Sequence, residues 1–481
     1  MKRYLLFAFS ILISPFSILI SPFSIQQTAS AAVKISYDEL QRDGWSQYKG
    51  QCVCLTTPLV VCGTMYDSLI LAPERLYVPD EHAYGLADGD STEYFRLARH
   101  NATIRVKLEC KYPFSLTLGS TITNLKARVM GERHLQTGAE PRFKMYRPST
   151  KLPDMGEHDL LICSANIQNY FVHVGGYATR RNTQGQHTLQ CYKVASALAR
   201  FHADLYTLCE LEKGLTAPRE LTEHINALLH TDAYEFVHTD SIDGDTISVG
   251  FIYNKHRLRP YGPLRFAYDR NDNNTRIYAY RFMIQGFESV QTGERFVVSL
   301  NHPRSKRGTP QQANAKRMAN VEHILQAIQS AYDSGDYNDP DILLLGDYNS
   351  YSLEQPIQTI IRAGYEDVLM HNDSNNYSYS YRGECGYLDR VFASPSMARQ
   401  VVAVHPVHWN TDFYYSAAYY SKYNFKKQNI PYKVEQPTIK AFPRNIRRVM
   451  TPTAKRNLLF RFSDHDPILI SLTTIPSPLK Y

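Results

Sequence analysis

The chain has 481 residues, 43% hydrophobic, 12% aromatic and 21% charged. That is long enough for two domains and too apolar for disorder over most of its length. The formal net charge is +7, and the spacing of the eight cysteines matches no zinc signature, which argues against a sulfur-held metal.

The first 31 residues have the pattern of a secretory signal. Lys2 and Arg3 form a basic end, residues 4–25 are an apolar run, and Ala29-Ser30-Ala31 offers small residues for cleavage. The unit SILISPF occurs twice in that run, and its Pro15 and Pro22 would break a spanning helix. No cysteine stands near Ala31 to carry a lipid. The expectation is removal of residues 1–31 and export, to the medium, the periplasm or the cell surface, without stable membrane insertion.

From residue 33 to 138, QCVCLTTPLVVC, DSLILAP, ATIRVKLEC and TITNLKARVMG read as short strands with little helical periodicity between them. Some five strands in about a hundred residues predict a small β-barrel or sandwich. By pattern and position this region resembles the oligonucleotide-binding-type (OB-like) barrels that precede the catalytic domain in some bacterial secreted nucleases. A spacer and a nucleic-acid-binding module both remain open for it. Cys52, Cys54, Cys62 and Cys110 fall here and could pair in an oxidising compartment, with a connectivity that sequence leaves open. Cys163 and Cys209 lie in apolar runs and read as buried small hydrophobes.

Residues 139–156, with Pro141, Pro148 and Pro153 among basic residues, read as a linker. From 157 to 481 strands alternate with helices. HDLLICSAN, DLYTLCEL, SVGFIYN, YRFMI, FVVSLN, ILLLGDYN, YLDRVFA and PILISL read as strands. Residues 188–202 and 311–332 carry helical spacing, which makes this a mixed α/β domain.

Several of these strands end in the same kinds of residue. Phosphate-ester hydrolysis needs a hard cation, a base to activate water, and donors for developing charge. Hard cations take oxygen ligands, mainly carboxylates and amides. Strand ends supply Asn166, Glu210, Asp347, Asn349, Asp389 and Asp464, with His302 in SLNHPRSK and His465 in FSDHDP. Each alone has an ordinary explanation. Gly-Asp-Tyr-Asn is a turn with Gly346 at its corner, Asn166 and Asn169 suit Asx-turns, Glu210 beside Glu212 suits a solvated strand end, and Asp389 has Arg390 and Arg382 near it. Together they make a site.

The ordered set SANIQNYF, LCELE, NHPRSK, GDYN, YLDRVFAS and SDHDP resembles the endonuclease/exonuclease/phosphatase superfamily, the DNase I-like proteins, and among them bacterial extracellular nucleases. The resemblance covers about residues 158–475. It implies a four-layer α/β-sandwich behind the barrel. It also implies a Mg²⁺ ion, with Mn²⁺ or Ca²⁺ as alternatives, held by Glu210, Asn166 and Asp464. Asp347 and Asn349 would position water and the scissile phosphate. His465, oriented by Asp389, would be the catalytic histidine, and His302 a donor to the phosphate, with Asp245 as its orienting acid. Cys209, Pro303 and Arg304 depart from the usual residues of their motifs.

The largest departure is an insertion, residues 413–461. Between 421 and 460 it holds ten Lys/Arg against Glu435 alone. Without residues 1–31 the chain carries +5, so the rest of it is acidic and the basicity is local. Tyr414, Tyr415, Tyr419, Tyr420, Tyr423 and Tyr432 interleave the cations. Basic groups with aromatics suit a phosphate backbone and unstacked bases, and Lys306, Lys426, Lys427, Arg447 and Arg448 are the candidate contacts. A solvated loop is the plain alternative.

The leading expectation is a secreted Mg²⁺-dependent, sequence-nonspecific nuclease acting on DNA, with RNA left open as a further substrate and no obligate protein partner. A phospholipid phosphodiesterase of the sphingomyelinase type is the enzymatic alternative, since tyrosines suit a membrane interface. A nucleic-acid-binding surface protein with an inert catalytic domain is the non-enzymatic one.

Overall fold

The computed structural model describes residues 32–65, 68–82, 91–113, 116–173, 184–239, 246–267, 281–369, 376–413 and 461–474. The signal segment, Asp245, and Lys426, Lys427, Arg447 and Arg448 of the insertion lie outside the described residues.

In the N-terminal region the strands form one sheet around a single core. Leu59–Met65 pairs with Ser68–Ala72, which pairs with Val106–Glu109. Val106–Glu109 runs parallel to His134–Gln136, which pairs with Leu125–Gly131. Leu125–Gly131 returns to Cys52–Leu55, and residues 56–58 join that strand to Leu59–Met65. Period-2 alternation fills that core: Val53 and Leu55, Leu59 and Val61, Leu69 and Leu71, Val106 and Leu108 all point into it.

Two expectations need correction here. Ser91–Ile104 is a 14-residue helix, so ATIRVKLEC is a helix end followed by a strand. The supposed linker also contains Phe143–Lys144, which pairs with Thr121–Ile122 on the barrel. All eight cysteines are free thiols, and the Cys62 thiol donates to the Glu74 carbonyl at 3.3 Å.

The second part is the expected α/β-sandwich. One six-stranded sheet runs Tyr234–Phe236, Ile247–Asn254, Leu205–Glu212, Leu160–Tyr170, Ile468–Leu472, Val401–Pro406. The other runs Leu258–Phe266, Phe282–Ser289, Arg295–Asn301, Ile342–Asp347, Asp389–Ala393, Glu366–Asp367. Apolar side chains on both faces of each sheet produce the layers. Leu343 and Leu345 pack between the sheets with Ile162, Val298 and Ile470. Ile342 and Leu344 face the other way, onto helices Pro310–Asp333 and Gln355–Arg362. Helices Gln184–Phe201 and Thr216–Leu229 cover the outer face of the first sheet. Strands buried on both faces read as continuous apolar runs, which is why ILLLG is visible in the sequence.

The two parts are tied together through their backbones and through buried charge. Leu76–Tyr77 from the N-terminal region pairs in parallel with Glu384–Gly386, itself hairpinned to Tyr379–Tyr381. The Leu118 amide donates to the Asp412 carbonyl at 2.9 Å. Glu81 is 1% exposed and bridges to Arg390 at 3.1 Å, and Arg390 also bridges Asp367 at 3.0 Å. Among the described residues no helix is long and apolar enough to cross a membrane.

Candidate active site

The site lies where strands of both sheets end together, and local backbone departures aim its side chains. Leu160–Tyr170 and Leu205–Glu212 pair in parallel until the register shifts between Asn166 and Tyr170. Glu210 falls at that irregularity with φ 66°, and Gln168 and Asn169 opposite have φ 57° and 49°. Such conformations cost about 1–3 kcal/mol each and cluster at functional sites. The bulge turns the Glu210 carboxylate out of the ladder, where its Oε2 accepts the Asn169 amide at 2.6 Å. Glu212 is not a solvated partner. It is 1% exposed and accepts the Val172 and His173 amides.

On the second sheet the strand does not turn at Gly346, as the sequence suggested, but continues to Asp347. Gly346 has φ 121°, and a Cβ there would collide with the Asn301 carbonyl, one residue before His302. Glycine therefore lets two strand ends, and two site residues, approach closely. Asn349 reaches Asp347 through a turn rather than through strand alternation. Its φ is 51°, and its amide donates to Asp347 Oδ1 at 2.8 Å. The turn reading and the site reading of GDYN are thus the same geometry.

Eight of the residues singled out in the sequence converge. Asn166 Nδ2 donates to Asp347 Oδ2 at 3.0 Å. His302 Nε2 stands 3.8 Å from Glu210 Oε1 and 3.7 Å from Asp347 Oδ2. His465 Nδ1 donates to Asp389 Oδ2 at 2.8 Å, which leaves Nε2 3.8 Å from Asp347 Oδ2. Asn349 Nδ2 donates to the Pro303 carbonyl at 3.2 Å. Asp464 adds its negative charge beside Glu210 and His465. Asp389 pairs with the histidine and not with Arg390, whose side chain points to the opposite side of the strand.

Burial and neighbouring charge set the protonation. Burial opposes the His465 cation, but Asp389 and Asp347 outweigh it and hold the imidazole well above its ordinary range. His302 is pushed well below, first by burial and then by Arg281 and His465, so it is neutral. Asp347 rises to about 7 through burial, with Asp389 adding and His465 opposing. Glu210 is raised by burial and by Asp464. A 2% exposed Asp347, a 2% exposed Asp389, Glu210 and Asp464 therefore confront a single imidazolium. Oxygen donors with an excess of negative charge fit a hard divalent cation; Asp347, Asp389 and His465 are one group whose ligand atoms lie within 4.8 Å of one another, with the carboxylates of Glu210 and Asp464 beside it. A second cluster, Cys191, Glu220 and His224, lies between two helices away from this site. There the Glu220 oxygens already accept from Tyr170 and His187.

Lys306 does not join the group. Its ammonium meets Glu354 and lies 3.9 Å from the Tyr351 ring centre. Among the described residues the buried Nδ1 of His302 has no hydrogen-bond partner.

Several supporting residues escaped the sequence reading. Tyr379 stacks on His465, ring centres 4.5 Å apart. Ser378 Oγ accepts the Asp389 amide at 3.2 Å, and Ser463 Oγ donates to the Asn166 carbonyl at 2.6 Å. Asn410 Nδ2 donates to the His465 carbonyl at 2.6 Å, and Asp466 Oδ1 accepts the Asn410 and Thr411 amides. Asp466 and Ser463 had a signal, as the second acid and the serine of SDHDP. Tyr379, Ser378 and Asn410 belong to no motif read in the sequence.

Several solved structures are similar to this chain. A solved endonuclease/exonuclease/phosphatase family protein from Bacteroides thetaiotaomicron is similar at 14% identity, over 66% of this chain and 98% of its own, with a TM-score of 0.40. One from Bacteroides vulgatus is similar at 13%, over 66% and 100%, with a TM-score of 0.41. A mannosyl-6-phosphatase from B. thetaiotaomicron is similar at 13%, over 65% and 99%, with a TM-score of 0.37. No curated protein matches the chain. The model of the Endonuclease/Exonuclease/phosphatase family matches residues 178–473. The chain belongs to that family of phosphoester hydrolases.

Proposed function

We propose that this chain is an exported, Mg²⁺-dependent, sequence-nonspecific nuclease that hydrolyses DNA and RNA phosphodiesters. The observation that carries the reading is the pairing of a phosphodiesterase-type site with a strongly basic insertion anchored beside it. The described chain stops at Phe413 and resumes at Arg461, and both residues border the cleft next to Asp464. Between them in sequence, residues 421–460 hold ten cations against one acid. Local positive charge on an otherwise acidic protein suits a polyanion.

The chemistry follows from the placement. Glu210, Asn166 and Asp464 would hold the divalent ion, which would supply charge neutralisation for the phosphoryl oxygens. Asp347, its carboxyl raised to about 7, orients the attacking water and takes its proton. Asn349 and Asn166 hold Asp347 in place through hydrogen bonds. His465, kept cationic by Asp389 and stacked under Tyr379, places Nε2 toward the phosphoryl group. Neutral His302 donates one further hydrogen bond from Nε2 without adding charge.

The testing experiment incubates the protein lacking residues 1–31 with supercoiled plasmid, single-stranded DNA, RNA and sphingomyelin vesicles, each with Mg²⁺ and with EDTA. Mg²⁺-dependent cleavage of the nucleic acids supports the reading. Choline-phosphate release from the vesicles with intact nucleic acids replaces it by the phospholipase reading, and binding of DNA without cleavage by the non-enzymatic one.

A further inference from the structure

A cleft of about 240 Å³ lies between the barrel and the catalytic domain, and Tyr379 and Asp464 line it on the side of the site. Thr64 and Leu118 of the barrel form one wall, and Tyr379, Arg382, Arg461 and Asp464 the other. Tyr379 is the ring stacked on His465, so anything in the cleft lies one aromatic ring away from the reacting group. Asp464 lines the cleft and also lends its charge to the acidic cluster around Glu210.

The walls are fixed with respect to each other. Barrel strand Leu59–Met65 meets the hairpin of Tyr379–Tyr381 and Glu384–Gly386 glycine to glycine: a Cβ on Gly63 would come within 2.8 Å of Gly383 Cα. Arg382 and Gly383 form the two-residue turn of that hairpin, with φ 51° and 87°, the left-handed pair such a turn requires. Thr117 bridges Phe413 in a short antiparallel contact, and Arg75 Nη1 donates to Tyr377 Oη at 2.6 Å while its guanidinium also meets Asp412. The barrel thus holds the Arg382 turn against the site rather than trailing from it.

We propose that this cleft is a nucleotide subsite, resting on the nuclease reading above. It takes the nucleotide next to the scissile phosphodiester. The adjacent phosphate lies between Arg382 and Arg461, and the sugar and base lie along Leu118, Thr64 and the edge of Tyr379. Two guanidiniums suit a phosphate through paired, charge-assisted hydrogen bonds. The volume is just under the roughly 300 Å³ at which small-molecule sites begin, so it admits one unstacked unit and not a duplex. The barrel then has a function in catalysis: it supplies half of the subsite that distinguishes a nucleic-acid strand from an isolated phosphodiester.

The test compares two substrates in the full mature chain: bis(4-nitrophenyl) phosphate, which has no flanking nucleotide, and a thymidine trinucleotide. Arg382→Ala removes an exposed cation. Thr64→Phe fills the cleft from the barrel side, and an unchanged thermal midpoint verifies its fold. For both variants kcat/KM on the trinucleotide falls at least about 10-fold further than on the small diester, mainly through KM, as expected for a lost charge-assisted contact. Equal losses on the two substrates, or no loss on the trinucleotide, overturn the subsite while leaving the nuclease reading in place. Wild-type protein that cleaves the small diester and not the trinucleotide removes the nuclease reading, and the subsite with it.

Discussion

His465 and Asp389 act as one unit if the 2.8 Å hydrogen bond between them is what keeps the imidazole charged. Loss of a positioned acid–base group costs about 10²–10⁴-fold in rate. His465→Ala should fall in that range, and the double alanine variant should be little worse, because groups that act as a unit are not additive. Steady-state rates on a small diester measure this, and losses that multiply would separate the two residues. Most of this constellation was legible in the sequence, since carboxylates and amides at the ends of apolar strands are conspicuous. What was not legible is how they are held. Ser463 supports Asn166 across 297 positions and Ser378 supports Asp389 across 11, by backbone contacts that carry no residue-type signature.

Elements were read best where burial on both faces wrote a continuous apolar run. The strands Ile342–Asp347, Arg295–Asn301 and Ile468–Leu472 all lie inside the sheets. Leu258–Phe266 was missed because Pro260, Gly262 and Pro263 interrupt it, and it tolerates them as an edge strand with one unpaired side. Ser91–Ile104 was missed because its apolar residues are few and the neighbouring runs were strands. Buried charge was the least legible. Arg390 is fully buried, bridges Glu81 and Asp367, donates to Ser352 Oγ at 2.9 Å and lies next to Asp389. Arg390→Met strands two carboxylates in the core, so the protein should lose about 3–5 kcal/mol of stability in urea unfolding. A loss under about 1 kcal/mol would mean that these carboxylates reach water or other donors.

At the scale of the whole molecule, charge is segregated: an acidic body carries a basic insertion that starts and ends at the cleft. Each phosphate neutralised by a cation releases counterion, giving a slope of about −0.9 in log K against log[salt] on duplex DNA. Four contacts from the insertion would contribute a slope of about −3 to −4. Replacing Lys426, Lys427, Arg447 and Arg448 together with alanine should weaken DNA binding at low salt and flatten the slope by that amount. An unmoved slope would return the insertion to a solvated loop, and loss of vesicle binding with normal nuclease activity would favour the lipid substrate.

On the proposed mechanism, hydrolysis would run through a divalent ion held by Glu210 at the bulge. Glu210→Gln keeps the size and removes the ligand charge. The direct measurement is plasmid cleavage by metal-stripped wild-type and Glu210→Gln proteins across a Mg²⁺ titration, with thermal unfolding of both to establish that the fold is intact. No cleavage by either protein in EDTA, full recovery of the wild type on adding Mg²⁺, and a folded variant slower by orders of magnitude at saturating Mg²⁺ are expected. Undiminished cleavage by Glu210→Gln, or by the wild type in EDTA, would contradict that mechanism.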